Sequence, residues 1–197
     1  MPDRQYKEDT MRKAVFGLVL LLVVTFGYAH TPPETILSKG ELSKDALVAF
    51  LLANNRHITK KFAAQVVDQY ICESAAEGVN YEIAFAQMCY HTNFLSFNKT
   101  FVKAHSNNFF GLTTFNDYRT AEVFSSCQQG IRAHIQHLKG YATTEPLKNE
   151  CVDPRYYKIQ ELHGWGSSPT IDKLSGKWAG ADYAAKIKGI LEKMYRS

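Results

Sequence analysis

Apolar residues recur at spacings of three and four along much of the chain, which is typical of amphipathic helices. Thr59 stands before the clearest of these segments as a candidate N-cap, and Gly78 follows it as a stop signal. The pattern therefore predicts a helix between these two residues. Its apolar stripe consists of Phe62, Val66, Val67, Tyr70, Ile71 and Ser74.

Four further segments have a capping residue at their start. Ser43 precedes a predicted helix that ends at about residue 54, and Asn80 precedes one that ends at about residue 92. Ser126 precedes a segment that reaches residue 142, and Asp182 precedes the last helix of the chain. Residues 113–124 combine polar and β-favouring side chains and predict a small hairpin. The expected fold is mainly α, a helical domain with a small β-hairpin lobe.

The amino terminus has the three-part pattern of a secretion signal. Arg12 and Lys13 precede an apolar stretch at residues 14–26, and Gly27 and Ala29 supply the small residues of a cleavage site. We therefore expect residues 1–29 to be a signal peptide or an uncleaved signal anchor, and the protein to be exported to the periplasm, cell envelope or exterior. Residues 30–42 are predicted to be a linker, and residues 43–197 the domain.

Composition and charge narrow the function classes. A chain of 197 residues with 45% hydrophobic content suits one domain core. The net charge of +4 is mild and no run of Lys and Arg accompanies it, so a nucleic-acid partner is not expected. Contact with a membrane is expected only through an uncleaved amino-terminal segment.

Four cysteines fall in the part that would be exported. An even count permits two disulfides with three connectivities, and small buried thiols are the alternative. No closely spaced pair suggests a zinc knuckle. His134 and His137, three residues apart, lack an evident third ligand, so we predict neither a metal site nor a cofactor. The cysteines are Cys72, Cys89, Cys127 and Cys151.

Four separated blocks in this order resemble glycoside hydrolase family 73. They lie at residues 77–88, 106–112, 130–139 and 174–184, and the resemblance extends over residues 60–195. It implies a lysozyme-like fold. It also implies endo-β-N-acetylglucosaminidase activity on the β-1,4-linked glycan of peptidoglycan.

The residue at the family's acid position is a histidine. Glycosidic cleavage usually needs two carboxyl groups, one of which protonates the leaving oxygen. In the family that acid is the Glu of a Glu-Thr-Gly triplet, and the matching triplet here is His91-Thr92-Asn93. Glu82 lies nine residues earlier and projects from the other side of the same helix.

Other acidic residues differ in their expected roles. Glu122 occupies the place where the family carries a second acidic residue, and Asp117 is a weaker candidate. Glu73 and Glu77 are interpreted as solvent-facing or capping charges. The candidate catalytic residues are therefore His91 and Glu122.

The resemblance also implies residues that bind the substrate. Asn107 and Asn108 match paired asparagines of the family, with loop-tying hydrogen bonds as their first role and glycan contact as the second. Phe110 lies in the same loop. Tyr183 matches a tyrosine of the family's cleft, and Trp178 offers a flat face to a sugar. Core packing is the alternative for both Tyr183 and Trp178.

Two function classes follow. The first is a hydrolase of bacterial cell wall, weakened because the protonated imidazole of His91 would stand in for the acid. The second is a non-catalytic relative that binds wall glycan or regulates a working hydrolase. A third, remote hypothesis is a histidine-dependent or metal-assisted hydrolase that uses His91 with His105.

Overall fold

A computed structural model describes residues 31–114, 117 and 119–197. The predicted signal segment, residues 1–29, lies outside them, so that prediction is not tested. The described residues are mainly helical, as the sequence predicts, and fit a lysozyme-like helical domain. They contain six α-helices: α1 (Lys44–Asn54), α2 (Lys60–Glu77), α3 (Tyr81–Thr92), α4 (Cys127–Ala142), α5 (Tyr156–Leu162) and α6 (Tyr183–Arg196). Two 3₁₀ turns lie at Ala104–Ser106 and Ile171–Leu174.

Four of the predicted N-caps are confirmed. The hydroxyls of Ser43, Thr59 and Ser126 each accept a backbone N–H three residues ahead. The side chain of Asn80 accepts two such bonds, from the first turn of α3. Gly78 ends α2 in the left-handed conformation with φ of 77°, which glycine adopts without steric cost. These boundaries follow from local hydrogen bonds and so were readable in the sequence.

The prediction for Asp182 is wrong in one respect. α6 does begin after it, but its carboxylate makes no capping bond. It pairs instead with Lys186 one turn later, at 2.8 Å. The capping role passes to Ser175, whose hydroxyl accepts the N–H of Ala184 at 3.0 Å.

The hairpin lobe is small. Within the described residues its pairing is one antiparallel bridge between Thr113 and Ala121. Backbone bonds from Thr114 to Thr120 (2.8 Å) and from Glu122 to Leu112 (2.9 Å) flank it.

α3 is the central helix of the core. Residues 82–89 are all buried, as expected for a helix with neighbours on every side. It packs against α2 and α6, while α2 also packs against α1 and α4. This placement fixes the end of α3, and with it His91, relative to the rest of the domain.

Two ion pairs join α2 to α4 and bury the carboxylates of Glu73 and Glu77, contrary to the prediction that these are solvent-facing or capping charges. Arg132 donates to Glu73 at 2.8 Å. Lys139 donates to Glu77 at 2.8 Å, and both side chains of that pair are 1% exposed. Helix packing brings each carboxylate against a cation some 60 residues later in the sequence. A local sequence pattern does not predict contacts between residues so far apart.

The expected linker makes specific contacts with the domain. Ile36 is fully buried; its N–H donates to the carbonyl of Pro169 at 3.0 Å, and its own carbonyl accepts from the N–H of Asn80 at 2.8 Å. Glu82 accepts the N–H of Leu42 at 2.6 Å. Residues 31–42 therefore complete the core beside α3.

All four cysteines are free thiols, and Cys89 is the one of the four that is buried as the alternative interpretation expects. Cys89 is buried, Cys127 and Cys151 are half-buried, and Cys72 is exposed. None of the helices in the described part of the chain has the length and apolar content needed to cross a bilayer.

Candidate functional site

Three of the four blocks that carry the family resemblance line one cavity of about 290 Å³, together with His91, which follows the first block on α3. His91 comes from the end of α3, Phe110 from the loop after it, His137 from α4, and Trp178 from the loop before α6. Their distances in sequence are large, so only the packing of the helices assembles the cavity. The other lining residues are Gly111, Leu112, Thr113, Tyr141, Arg155, Lys158, Ile159, Leu162, His163 and Lys177.

His91 occupies the last turn of α3, half-buried beside the cavity. Asn93 ends the helix with φ of 49° and ψ of 59°, the left-handed conformation that Asn tolerates better than most residues. Asn93 therefore adopts a turn that a glycine would adopt without steric cost. Gly111 approaches so closely that a Cβ there would lie 2.7 Å from His91 Nδ1.

Burial lowers the pKa of His91 to about 4. At neutral pH the ring is therefore uncharged, because a group with that pKa carries a proton in only about one molecule per thousand. A neutral imidazole can hydrogen-bond to a sugar, but it is poorly suited to protonating a leaving oxygen. This property weakens the catalytic interpretation of His91.

A chain of hydrogen bonds runs from His91 into the core. Tyr183 Oη lies 3.0 Å from His91 Nε2 and accepts from Gln87 Nε2 at 2.9 Å. The Oε1 atom of Gln87 lies 3.0 Å from His134 Nε2, and His134 Nδ1 lies 2.9 Å from Tyr70 Oη. Since an amide oxygen only accepts, His134 Nε2 carries the hydrogen, and its Nδ1 accepts from Tyr70. The chain fixes the ring of His91.

The asparagine pair organises the loop that faces His91, as predicted for its first role. Asn107 donates to the carbonyl of Phe124 at 3.0 Å. Asn108 donates to the carbonyls of Leu112 (2.8 Å) and Glu122 (3.0 Å). Asn108 is fully buried, so its predicted contact with the substrate is corrected to a positioning role. Asn107 is half-buried and does not line the cavity.

The aromatic candidates form one packed cluster. Phe110 lies flat on His134, with ring centroids 4.7 Å apart and planes 1° apart, and it lines the cavity. Trp178 is half-buried and stacks on Tyr183 at 6.4 Å and 8°. Tyr183 is 1% exposed, so it supports Trp178 and His91 from behind. The substrate contact predicted for Tyr183 is corrected accordingly.

Glu122 is half-buried on the loop next to the cavity and does not line it. Burial raises the pKa of this carboxyl, and the negative charge of Asp153 adds to the rise, against an opposite influence of Arg155. Within the described residues, the cavity lining contains no Asp or Glu. Asp117 is exposed.

Sequence reasoning missed a dyad at the cavity. His137 Nδ1 lies 2.7 Å from Asp153 Oδ2, and the Asp153 side chain is fully enclosed. His137 was considered only with His134 as a metal ligand. Asp153 lies 16 residues later in an irregular segment, where no periodicity points to it. Within the described part of the chain, His, Cys, Asp and Glu form no group of three that could hold a metal ion.

Comparisons with known proteins give a consistent result. The glucosaminidase family model, described as mannosyl-glycoprotein endo-beta-N-acetylglucosaminidase, matches residues 67–196. An uncharacterised protein of Borreliella burgdorferi is 41% identical over 157 residues, which is 79% of this chain and 74% of that protein. No solved structure matches significantly.

Proposed function

Because the chain belongs to the glucosaminidase family, we propose that its cavity binds the aminosugar glycan of peptidoglycan and hydrolyses N-acetylglucosaminyl β-1,4 linkages. The observation that carries this proposal is that three of the four resembling blocks, and His91 just after the first block, line one cavity. Residues that only stabilised the fold would not be expected to line the same cavity. The volume of about 290 Å³ is at the lower end for ligand sites and suits a single sugar ring.

The chemistry of the lining supports a sugar ligand. The indole of Trp178 supplies an apolar surface for the C–H face of a pyranose. Thr113, Arg155 and Lys177 supply hydrogen-bonding groups around it. A few placed polar groups among aromatic walls are what small-molecule sites generally present.

A wall-digestion assay tests the hydrolytic part. We expect His91→Glu to release reducing ends from insoluble peptidoglycan about 10²-fold faster than the native chain, because it restores a carboxyl group at the end of α3. His91→Gln is the matched control, since it has similar size and no acid, and it should give no gain. Equal rates for the Glu and Gln variants would refute a role for an acid at this position.

A second candidate function is non-catalytic binding or regulation. It is favoured by the neutral state of His91 and by the lack of Asp and Glu among the described lining residues. In that case residues 30–197 would sediment with insoluble peptidoglycan and release no reducing ends. The same assay therefore separates the two candidates.

The proposal includes export, since peptidoglycan lies outside the cytoplasm and residues 1–29 have the pattern of a secretion signal. We expect the protein isolated from its own cells to begin near residue 30, or to be full-length in the membrane fraction if the segment is an anchor. Amino-terminal sequencing after cell fractionation measures this. Full-length protein in the cytosolic fraction would contradict export.

A further inference from the structure

We propose that the proton donor of this cavity is His137, held by the carboxylate of Asp153. The inference rests on the proposed hydrolytic function and assigns its acid to a different helix from the one implied by the family resemblance. Three imidazoles line the cavity: His91, His137 and His163. Within the described residues, His137 alone among them hydrogen-bonds to a carboxylate.

Asp153 is held in a fixed position by its surroundings. The amide oxygen of Gln136 accepts the N–H groups of Val152 (2.8 Å) and Asp153 (3.3 Å). Asp153 Oδ1 accepts the N–H of Arg155 at 2.9 Å. These bonds leave Oδ2 for His137 Nδ1 at 2.7 Å. Because a carboxylate accepts, Nδ1 carries the hydrogen and Nε2 becomes the atom that exchanges a proton.

The ring of His137 has one defined orientation. Trp178 meets it edge-on at 5.0 Å, and Phe110 and Tyr141 lie at 5.6 and 5.5 Å. Its Nε2 makes no hydrogen bond to any residue in the described part of the chain, and 11% of its side chain stays exposed. His91 differs, since its Nε2 is occupied by Tyr183. Preorganisation of this kind is what a proton-transfer group requires.

The chemistry balances with water as the only other reactant. As the bond between the anomeric carbon and the glycosidic oxygen breaks, the proton on Nε2 of the imidazolium passes to that oxygen, which leaves as a hydroxyl. Water then bonds to the anomeric carbon, and the proton it loses returns to Nε2. Asp153 stays ionised throughout and acts as a positioning residue, because it holds the imidazole in the tautomer that exposes Nε2.

The test uses residues 30–197 and soluble glycan strands prepared from peptidoglycan. We expect His137→Gln to lower kcat by about 10²–10⁴-fold, with KM and sedimentation with intact wall unchanged. Asp153→Asn should also lower kcat with little change in KM, a split that a merely structural role would not produce. His57→Gln, an exposed imidazole remote from the cavity, is the control and should match the native chain.

The outcomes distinguish this inference from the proposed function. Native kcat in a folded His137→Gln protein would overturn it, and so would a native chain that binds wall and cleaves nothing. If His137→Gln fails to fold, Asp153→Asn decides by the same criterion. Failure of the native chain to bind the wall at all would instead contradict the proposed function.

Discussion

Replacing Lys139 by Met is expected to destabilise the protein by about 3–5 kcal/mol, because it leaves the carboxylate of Glu77 buried without its cation. The two side chains are each 1% exposed. The backbone N–H groups of Lys148 (2.9 Å) and Asn149 (3.0 Å) also bind Glu77. These two hydrogen bonds would remain in the variant and would reduce the loss of stability without abolishing it. Denaturant unfolding monitored by circular dichroism measures the change.

An exposed ion pair provides the control. Lys44 pairs with Asp68 at 2.7 Å, with side chains 45% and 55% exposed. Lys44→Met should change stability by less than about 1 kcal/mol. Equal losses of stability in Lys139→Met and Lys44→Met would show that burial does not determine how much the Lys139 ion pair contributes to stability.

The same pair sets a pH dependence. Burial acts to raise the pKa of Glu77, but the hydrogen bonds from Lys139 and from the backbone of Lys148 and Asn149 outweigh it and lower the pKa. A lowered folded-state pKa stabilises the protein above the unfolded value, and that stability is lost as pH falls through the folded value. The native chain should therefore lose more stability than Lys139→Met between pH 7 and pH 3.

Replacing Gly130 by Ala is expected to destabilise the protein by about 1–3 kcal/mol and to weaken wall binding. A Cβ at this position of α4 would lie 1.7 Å from the backbone oxygen of Asn107. Backbone cannot yield as a flexible side chain can, so the loop at residues 104–112 must move. Since Phe110 and Gly111 of that loop line the cavity, the loss should appear both in unfolding and in sedimentation with peptidoglycan.

Gly189 of α6 offers a matched control, because it is also helical and a Cβ there meets no atom within 4 Å. Gly189→Ala should stabilise the protein by about 0.5–1 kcal/mol through the lower entropy of the unfolded chain. A Gly130→Ala protein as stable as Gly189→Ala would show that the loop accommodates the methyl group without strain.

The replacement of the family's acid has a structural counterpart in the hydrogen-bond chain. His91 is tied through Tyr183 and Gln87 to His134 in the core. His134, whose pKa burial lowers well below the ordinary histidine value, remains a neutral link in that chain. The end of α3 thus serves as a rigid, uncharged wall of the cavity. Proton transfer then requires a group elsewhere, and His137 has the geometry for it.

The sequence by itself determined where the helices lie and which parts of the chain belong together. Ser43, Thr59, Asn80 and Ser126 cap helices through atoms at most three residues away, so the local order of residues is enough to place them. The four blocks likewise predicted the family.

The tertiary structure alone decided which of these residues face one another. Glu77 was interpreted as a solvent-facing or capping charge, and packing of α2 on α4 buries it in a pair with Lys139. Tertiary contacts also bury Asn108 behind the loop that it ties and place His137 against Asp153. The ionisation of a side chain and its contact with substrate depend on burial and on partners distant in sequence. The pattern of residues along the chain contains no information on burial or on such partners.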